Sequence, residues 1–108
     1  MESNQFSSGT TLVICHPGHE LRVLGWLAHV KPTVFVLTDG SGSTMQSRLP
    51  STTRLIEESR SSIGSIYGRF TDRELYDAIL NHRHDVFIQL AREMATEFER
   101  FDLSLIHI

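Results

Sequence analysis

Two short apolar runs with a helical stretch between them constrain this chain most. Thr11-Leu-Val-Ile-Cys15 and Thr33-Val-Phe-Val-Leu-Thr38 are rich in β-branched residues and carry no charge. That is the pattern of strands covered on both faces. Between them, Leu21, Leu24, Leu27 and Ala28 recur at intervals of three and four. They define one face of a helix from about Gly18 to Val30, which Val23 and Trp26 widen. Lys31-Pro32 stops that helix, because proline cannot continue it. Strand, helix and strand within about 28 residues make a βαβ unit. Its strands are expected to run parallel through a right-handed crossover.

The rest of the chain extends the same architecture. Asp39-Gly-Ser-Gly-Ser-Thr44 opens a loop that runs to about Pro50. The spacing then predicts a helix over Thr52–Ile63, with Leu55, Ile56, Ser59 and Ile63 inward and Gly64 as its stop. Ser65–Phe70 reads as a short third strand. Thr71-Asp-Arg-Glu74 is a capping box that starts a helix to about Leu80. After the polar break Asn81-His-Arg-His84, a last helix runs to about Arg100, with Phe87, Leu90, Ala91, Met94, Phe98 and Phe101 inward. Leu103–Ile108 reads as a final strand.

This order implies a Rossmann-like three-layer α/β sandwich with a mostly parallel sheet. The first strand is expected between the second and the final one, and the third strand outside the second. The domain is expected to be cut short after the final strand. Residues 1–9 read as a polar tail and 10–102 as the N-terminal part of one α/β domain. Residues 103–108 back-translate as CTG TCT CTT ATA CAC ATC, which resembles a transposon end used in sequencing libraries. They are expected to be adapter read-through, and His107 therefore carries no functional weight.

Composition narrows the partners. The formal net charge of −3 gives no electrostatic case for nucleic acid or an anionic membrane. No apolar stretch approaches the ~20 residues of a membrane span. Met1–Thr10 has no apolar segment of the signal-peptide kind, so a cytoplasmic location is expected. Cys15 is the one cysteine and is expected to be a buried, inert thiol.

Chemistry concentrates where the first apolar run ends in His16-Pro-Gly-His19-Glu20. In open α/β sheets, ligands bind at the carboxyl ends of strands. A tight Pro-Gly bend can bring His16 and His19 to one point, and imidazole nitrogen is a standard zinc ligand. A zinc site needs a third protein ligand as well. Glu20 reads either as a carboxylate stabilised by the helix dipole by ~0.3–1 kcal/mol, or as a metal ligand or general base. Neighbours on an α-helix diverge by about 100°, so His19 and Glu20 should not face one metal together. Asp39 reads either as an acceptor of hydrogen bonds from sugar hydroxyls or as an Asp-Gly turn residue. Ser41, Gly42 and Ser43 lack the spacing of a phosphate-binding loop. His82 and His84 read as solvated.

Val-Ile-Cys-His-Pro-Gly-His-Glu resembles the His-Pro-Asp-Asp-Glu signature of the PIG-L/LmbE-like zinc-dependent N-deacetylases. Leu-Thr-Asp-Gly at the end of the second strand is similar to that family's Thr-and-Gly loop. Arg54-Leu-Ile-Glu57 is similar to its Arg-x-x-Glu, and Gly68–Leu75 to the segment after its third strand. The resemblance implies that His16 binds zinc and that His19, in place of an acidic ligand, does too. It implies that Arg54 contacts the substrate, a small molecule containing a sugar, and that the remaining zinc histidine lies beyond Asp102. The family's general base falls on Gly18, which has no side chain; Glu20 is a substitute candidate. The implied activity is zinc-dependent removal of an acyl group from an amide on a sugar. The alternative is a non-catalytic sugar- or nucleotide-binding domain on the same fold. Without the rest of the domain, the chain is expected to bind zinc weakly and to show no turnover.

Overall fold

The computed structural model describes residues 9–101 and 104–107, with side chains from residue 9 to residue 99. Four strands form one sheet: β1 (Thr10–Ile14), β2 (Thr33–Thr38), β3 (Ser62–Phe70) and β4 (Ser104–His107). Their order is β3-β2-β1-β4 and every pairing is parallel. The register places Thr11 opposite Thr33, and Ile14 opposite Val36. The expected α/β architecture and strand order are therefore present. The tail up to residue 8, the side chain of Phe101 and the outer ends of the expected final strand lie outside the described residues.

Alternation along β1 and β2 builds two cores. Leu12, Ile14, Val34 and Val36 pack with Leu27 and Ile56 on one face. Val13 and Phe35 pack with Ile66 and Leu90 on the other. Leu27 belongs to α1 (Leu24–Val30) and Ile56 to α2 (Leu49–Glu58), whereas Leu90 belongs to α4 (His84–Phe101). Helices thus cover both faces, and each fully buried Leu, Ile, Val or Phe contributes about 1.5–3 kcal/mol. Between β3 and α4 lies α3 (Asp72–Leu80). Its expected capping box is formed: the Thr71 hydroxyl accepts from the Glu74 N–H, and the Glu74 carboxylate accepts from the Thr71 N–H. No helix among the described residues is long and apolar enough to cross a membrane.

Two expected helices are corrected. Before α1, residues His19–Val23 form a 3-10 turn rather than α-helix. Its three-residue period stacks Glu20 over Val23 and Leu21 over Leu24. Glu20 is buried and Val23 half-buried, while Leu21 is 59% and Leu24 45% exposed. Ala28 is exposed as well. The α2 helix starts three residues earlier than expected, with Pro50 tolerated in its first turn. It stops at Glu58, where Arg60 turns left-handed at φ 63°. Ile63 and Gly64 therefore belong to β3, not to a helix and its stop. A Cβ on Gly64 would run into the Phe35 ring, so the glycine makes room for the core.

Candidate functional site

Three strand ends meet at one edge of the sheet. The Thr38 N–H donates to the Cys15 carbonyl at 2.9 Å, and the Asp39 N–H to the Phe70 carbonyl at 2.9 Å. The segments leaving β1, β2 and β3 are thereby tied side by side. After β1 the chain reverses through Pro17 and Gly18, whose φ of 109° is open to glycine and strained for other residues. The bend brings the His16 and His19 rings together, edge to face, with centroids 5.7 Å apart.

His16 is held from the far side. Its Nδ1 lies 3.1 Å from Asp72 Oδ1 and 2.9 Å from Thr38 Oγ1. A carboxylate only accepts, so Nδ1 carries the proton, and in that tautomer of the uncharged ring the Nε2 lone pair is left for a ligand. Asp72 Oδ2 accepts from the Gly42 N–H at 2.9 Å, which fixes the carboxylate in turn. Partial burial pushes the Asp72 carboxyl up. The hydrogen bonds from Thr38, Gly42 and His16 outweigh it and hold the carboxyl below its ordinary value. Burial, then the Asp72 charge, pushes the neighbouring Cys15 thiol up, which keeps it un-ionised. Cys15 is half-buried rather than fully buried.

Clefts open on either side of the His16–Asp72 pair. One, of about 610 Å³, runs past Cys15 and Gly42 to Leu75, Tyr76 and Ile79 of α3. The other, of about 490 Å³, is bordered by His16, Gly18, His19, Arg22, Gly40 and Arg48, and also touches Asp72. This second cleft is cationic at its rim.

The remaining expected residues are placed elsewhere. Glu20 is 2% exposed. Its Oε1 accepts from the Gly18 N–H at 2.8 Å and its Oε2 from the Thr52 hydroxyl at 2.8 Å. Both oxygens are engaged in holding the turn against α2, so Glu20 is a buried strut that lines neither cleft. Asp39 Oδ1 accepts from the Ser41 N–H and hydroxyl, which makes it a turn residue of the loop after β2. Arg54 is exposed on α2 and lines neither cleft. Arg48, six residues earlier, is the arginine at the cleft.

Zinc fits this donor set in part. Two adjacent imidazoles, one oriented by a carboxylate, are the zinc-histidine arrangement with its outer support. Among the described residues, no group of three His, Cys, Asp or Glu could hold a metal. The described chain thus offers two ligands and a support, not three ligands. Sequence reasoning missed Asp72 and Arg48. Asp72 had a readable signal, an acidic residue just past a third strand ending at the same sheet edge. Arg48 had none, because its place depends on the path of a loop.

Comparison of the chain with protein-family models, with curated proteins and with solved structures finds no match.

Proposed function

We propose that the chain carries part of the active site of a zinc-dependent hydrolase that removes an acyl group from an amide on a sugar-containing small molecule. The observation that carries this reading is the convergence of His16 and His19 at the carboxyl edge of a parallel sheet, with Asp72 fixing His16. The resemblance of His-Pro-Gly-His-Glu to the PIG-L/LmbE-like signature points the same way. A zinc ion held by His16 and His19, with a third ligand from outside the described residues, would polarise the amide carbonyl and acidify water.

The chain's own residues do the positioning. Asp72 keeps Nδ1 of His16 protonated and its ring in place. The α3 cleft, with Leu75, Tyr76 and Ile79 beside His16, offers an apolar wall for the acyl or sugar face. A general base is not supplied by Gly18, which has no side chain, nor by Glu20, whose oxygens are both occupied. A missing base costs ~10²–10⁴ in rate. This favours slow turnover, or the second reading: a domain that binds a sugar or nucleotide without reacting. In either case we place the protein in the cytoplasm.

The discriminating assay follows acetate release from N-acetylglucosamine conjugates by the protein that contains this chain. Release that stops with chelator, resumes with zinc and is lost in His16→Ala supports the hydrolase. Ligand binding without release from any amide supports the binding domain.

A further inference from the structure

The break between α3 and α4 carries a second histidine pair that neither reading uses. The His82 and His84 rings stand 6.3 Å apart between centroids and 33° from parallel, and both residues are exposed. Their backbone is fixed. The Arg83 N–H donates to the Ala78 carbonyl at 2.8 Å and the His82 N–H to the Ile79 carbonyl at 3.3 Å, which is a Schellman end to α3. The His84 N–H then donates to the His82 carbonyl at 2.9 Å, a tight turn about Arg83. His82 takes the left-handed position of the Schellman end, at φ 53°, where glycine is the usual residue because it has no Cβ. The sequence thus places an imidazole where the backbone favours no side chain at all. Arg83, between the two histidines, pairs with Asp85 at 3.3 and 3.4 Å, so its charge is countered.

We infer that His82 and His84 form a metal site of their own, for a nitrogen-seeking divalent cation of the copper(II) and nickel(II) kind, with water in the remaining positions. With metal–nitrogen bonds of ~2.0–2.1 Å, a shared cation sets two imidazole centroids about 4.5–6.5 Å apart. This pair lies within that range. Among the described residues, no third His, Cys, Asp or Glu joins it. Two nitrogens completed by water oxygens suit copper(II) or nickel(II), which accept tetragonal N,O sets, better than zinc with its three or four protein ligands. Among the described residues, no carboxylate pairs with either ring. His16, by contrast, is oriented by Asp72. Such support is worth ~10–100-fold in metal affinity, so zinc favours the sheet-edge pair and the two sites fill separately. The inference stands apart from the hydrolase reading.

The test is a nuclear magnetic resonance titration of the ¹⁵N-labelled 108-residue chain with nickel(II) chloride, in buffer without chelator. Nickel(II) is paramagnetic and broadens the amides near it. Saturable broadening of the His82, Arg83, His84 and Asp85 amides is expected, separate from any at Gly18 and His19. His84→Ala and His82→Gly should each abolish the first set and leave the amides at the sheet edge as in the parent. His16→Ala should leave the first set unchanged. His82→Gly should also raise the urea midpoint, because a left-handed glycine carries no Cβ penalty. A gain in stability with a loss of binding separates a ligand from a structural residue. A dispersed amide spectrum of each variant shows that the fold is intact. No broadening at residues 82–85 in the parent, or broadening there that persists in either variant, overturns the inference. A lowered midpoint for His82→Gly marks the ring as structural and overturns it as well.

Discussion

Glu20 is the residue whose substitution separates a structural from a catalytic reading of the turn. It is 2% exposed and bridges the Gly18 N–H to the Thr52 hydroxyl, itself on a residue 1% exposed. Hydrogen bonds to a charged group contribute about 1.5–3 kcal/mol each, and a buried donor left unpaired costs a similar amount. Glu20→Ala removes both acceptors and the packed stem. The Thr52 hydroxyl can rotate to recover part of its loss, so the net cost should be about 2–4 kcal/mol. Glu20→Gln differs in a useful way. Its amide oxygen still accepts from Gly18, and its NH₂ donates to Thr52 Oγ1, which has lone pairs to accept. Charge assistance is lost, but so is the cost of burying a charge, leaving about 0.5–1.5 kcal/mol.

Urea unfolding followed by circular dichroism reads these differences. For a small domain the slope is about 1–3 kcal/mol per molar urea, so the alanine midpoint should fall by about 1–3 M. The glutamine midpoint should fall by less than half as much. An alanine variant within about 0.5 kcal/mol of the parent, the range of a surface change, would refute the strut. So would a glutamine variant of unchanged stability that loses acetate release by the ~10²–10⁴ expected of a general base.

Three shorter predictions accompany it. Calorimetric titration of the 108-residue chain should show weak zinc binding that either His16→Ala or His19→Ala removes; tight binding that survives both refutes the site. Gly64→Ala forces a methyl group into the Phe35 ring and should destabilise by about 1–3 kcal/mol in the same urea assay. The Asp72 carboxyl sits below its ordinary 3.8 when folded, so the stability it adds is complete above the unfolded value and is lost as pH falls through the folded one. Asp72→Asn should therefore flatten the acid limb of a stability-pH profile below about pH 5; an unchanged limb refutes the assignment.

The fold was legible because its signals are local and repeated. Five- and six-residue β-branched runs joined by a helical stretch admit few solutions, and parallel pairing of β1 with β2 is the short one. The Thr71–Glu74 capping box was readable to the residue because both of its hydrogen bonds lie within one turn. The helix boundaries were not. Leu21 and Leu24 fit an α-period, but Gly18 admits a φ of 109° that starts a 3-10 turn and swings both leucines outward. Ile63 fitted the α2 pattern as well as the β3 pattern, and the left-handed Arg60 that divides them carries no mark in the sequence.

The site divides along the same line between local and long-range geometry. His16 and His19 are three residues apart across a proline-glycine bend, so their meeting could be read directly. Asp72 reaches His16 across 56 residues and Arg48 reaches Gly18 across 30, contacts that exist only because three parallel strands end together. The parallel sheet explains why these partners gather at all: each strand delivers its following loop to one edge, so loops distant in sequence become neighbours. Glu20 shows the converse. It is adjacent in sequence to a candidate ligand, but one step along a 3-10 turn is about a third of a revolution, which carries its carboxylate from the cleft into the core. At this edge, side-chain direction and not proximity in the motif decides which residues face a ligand.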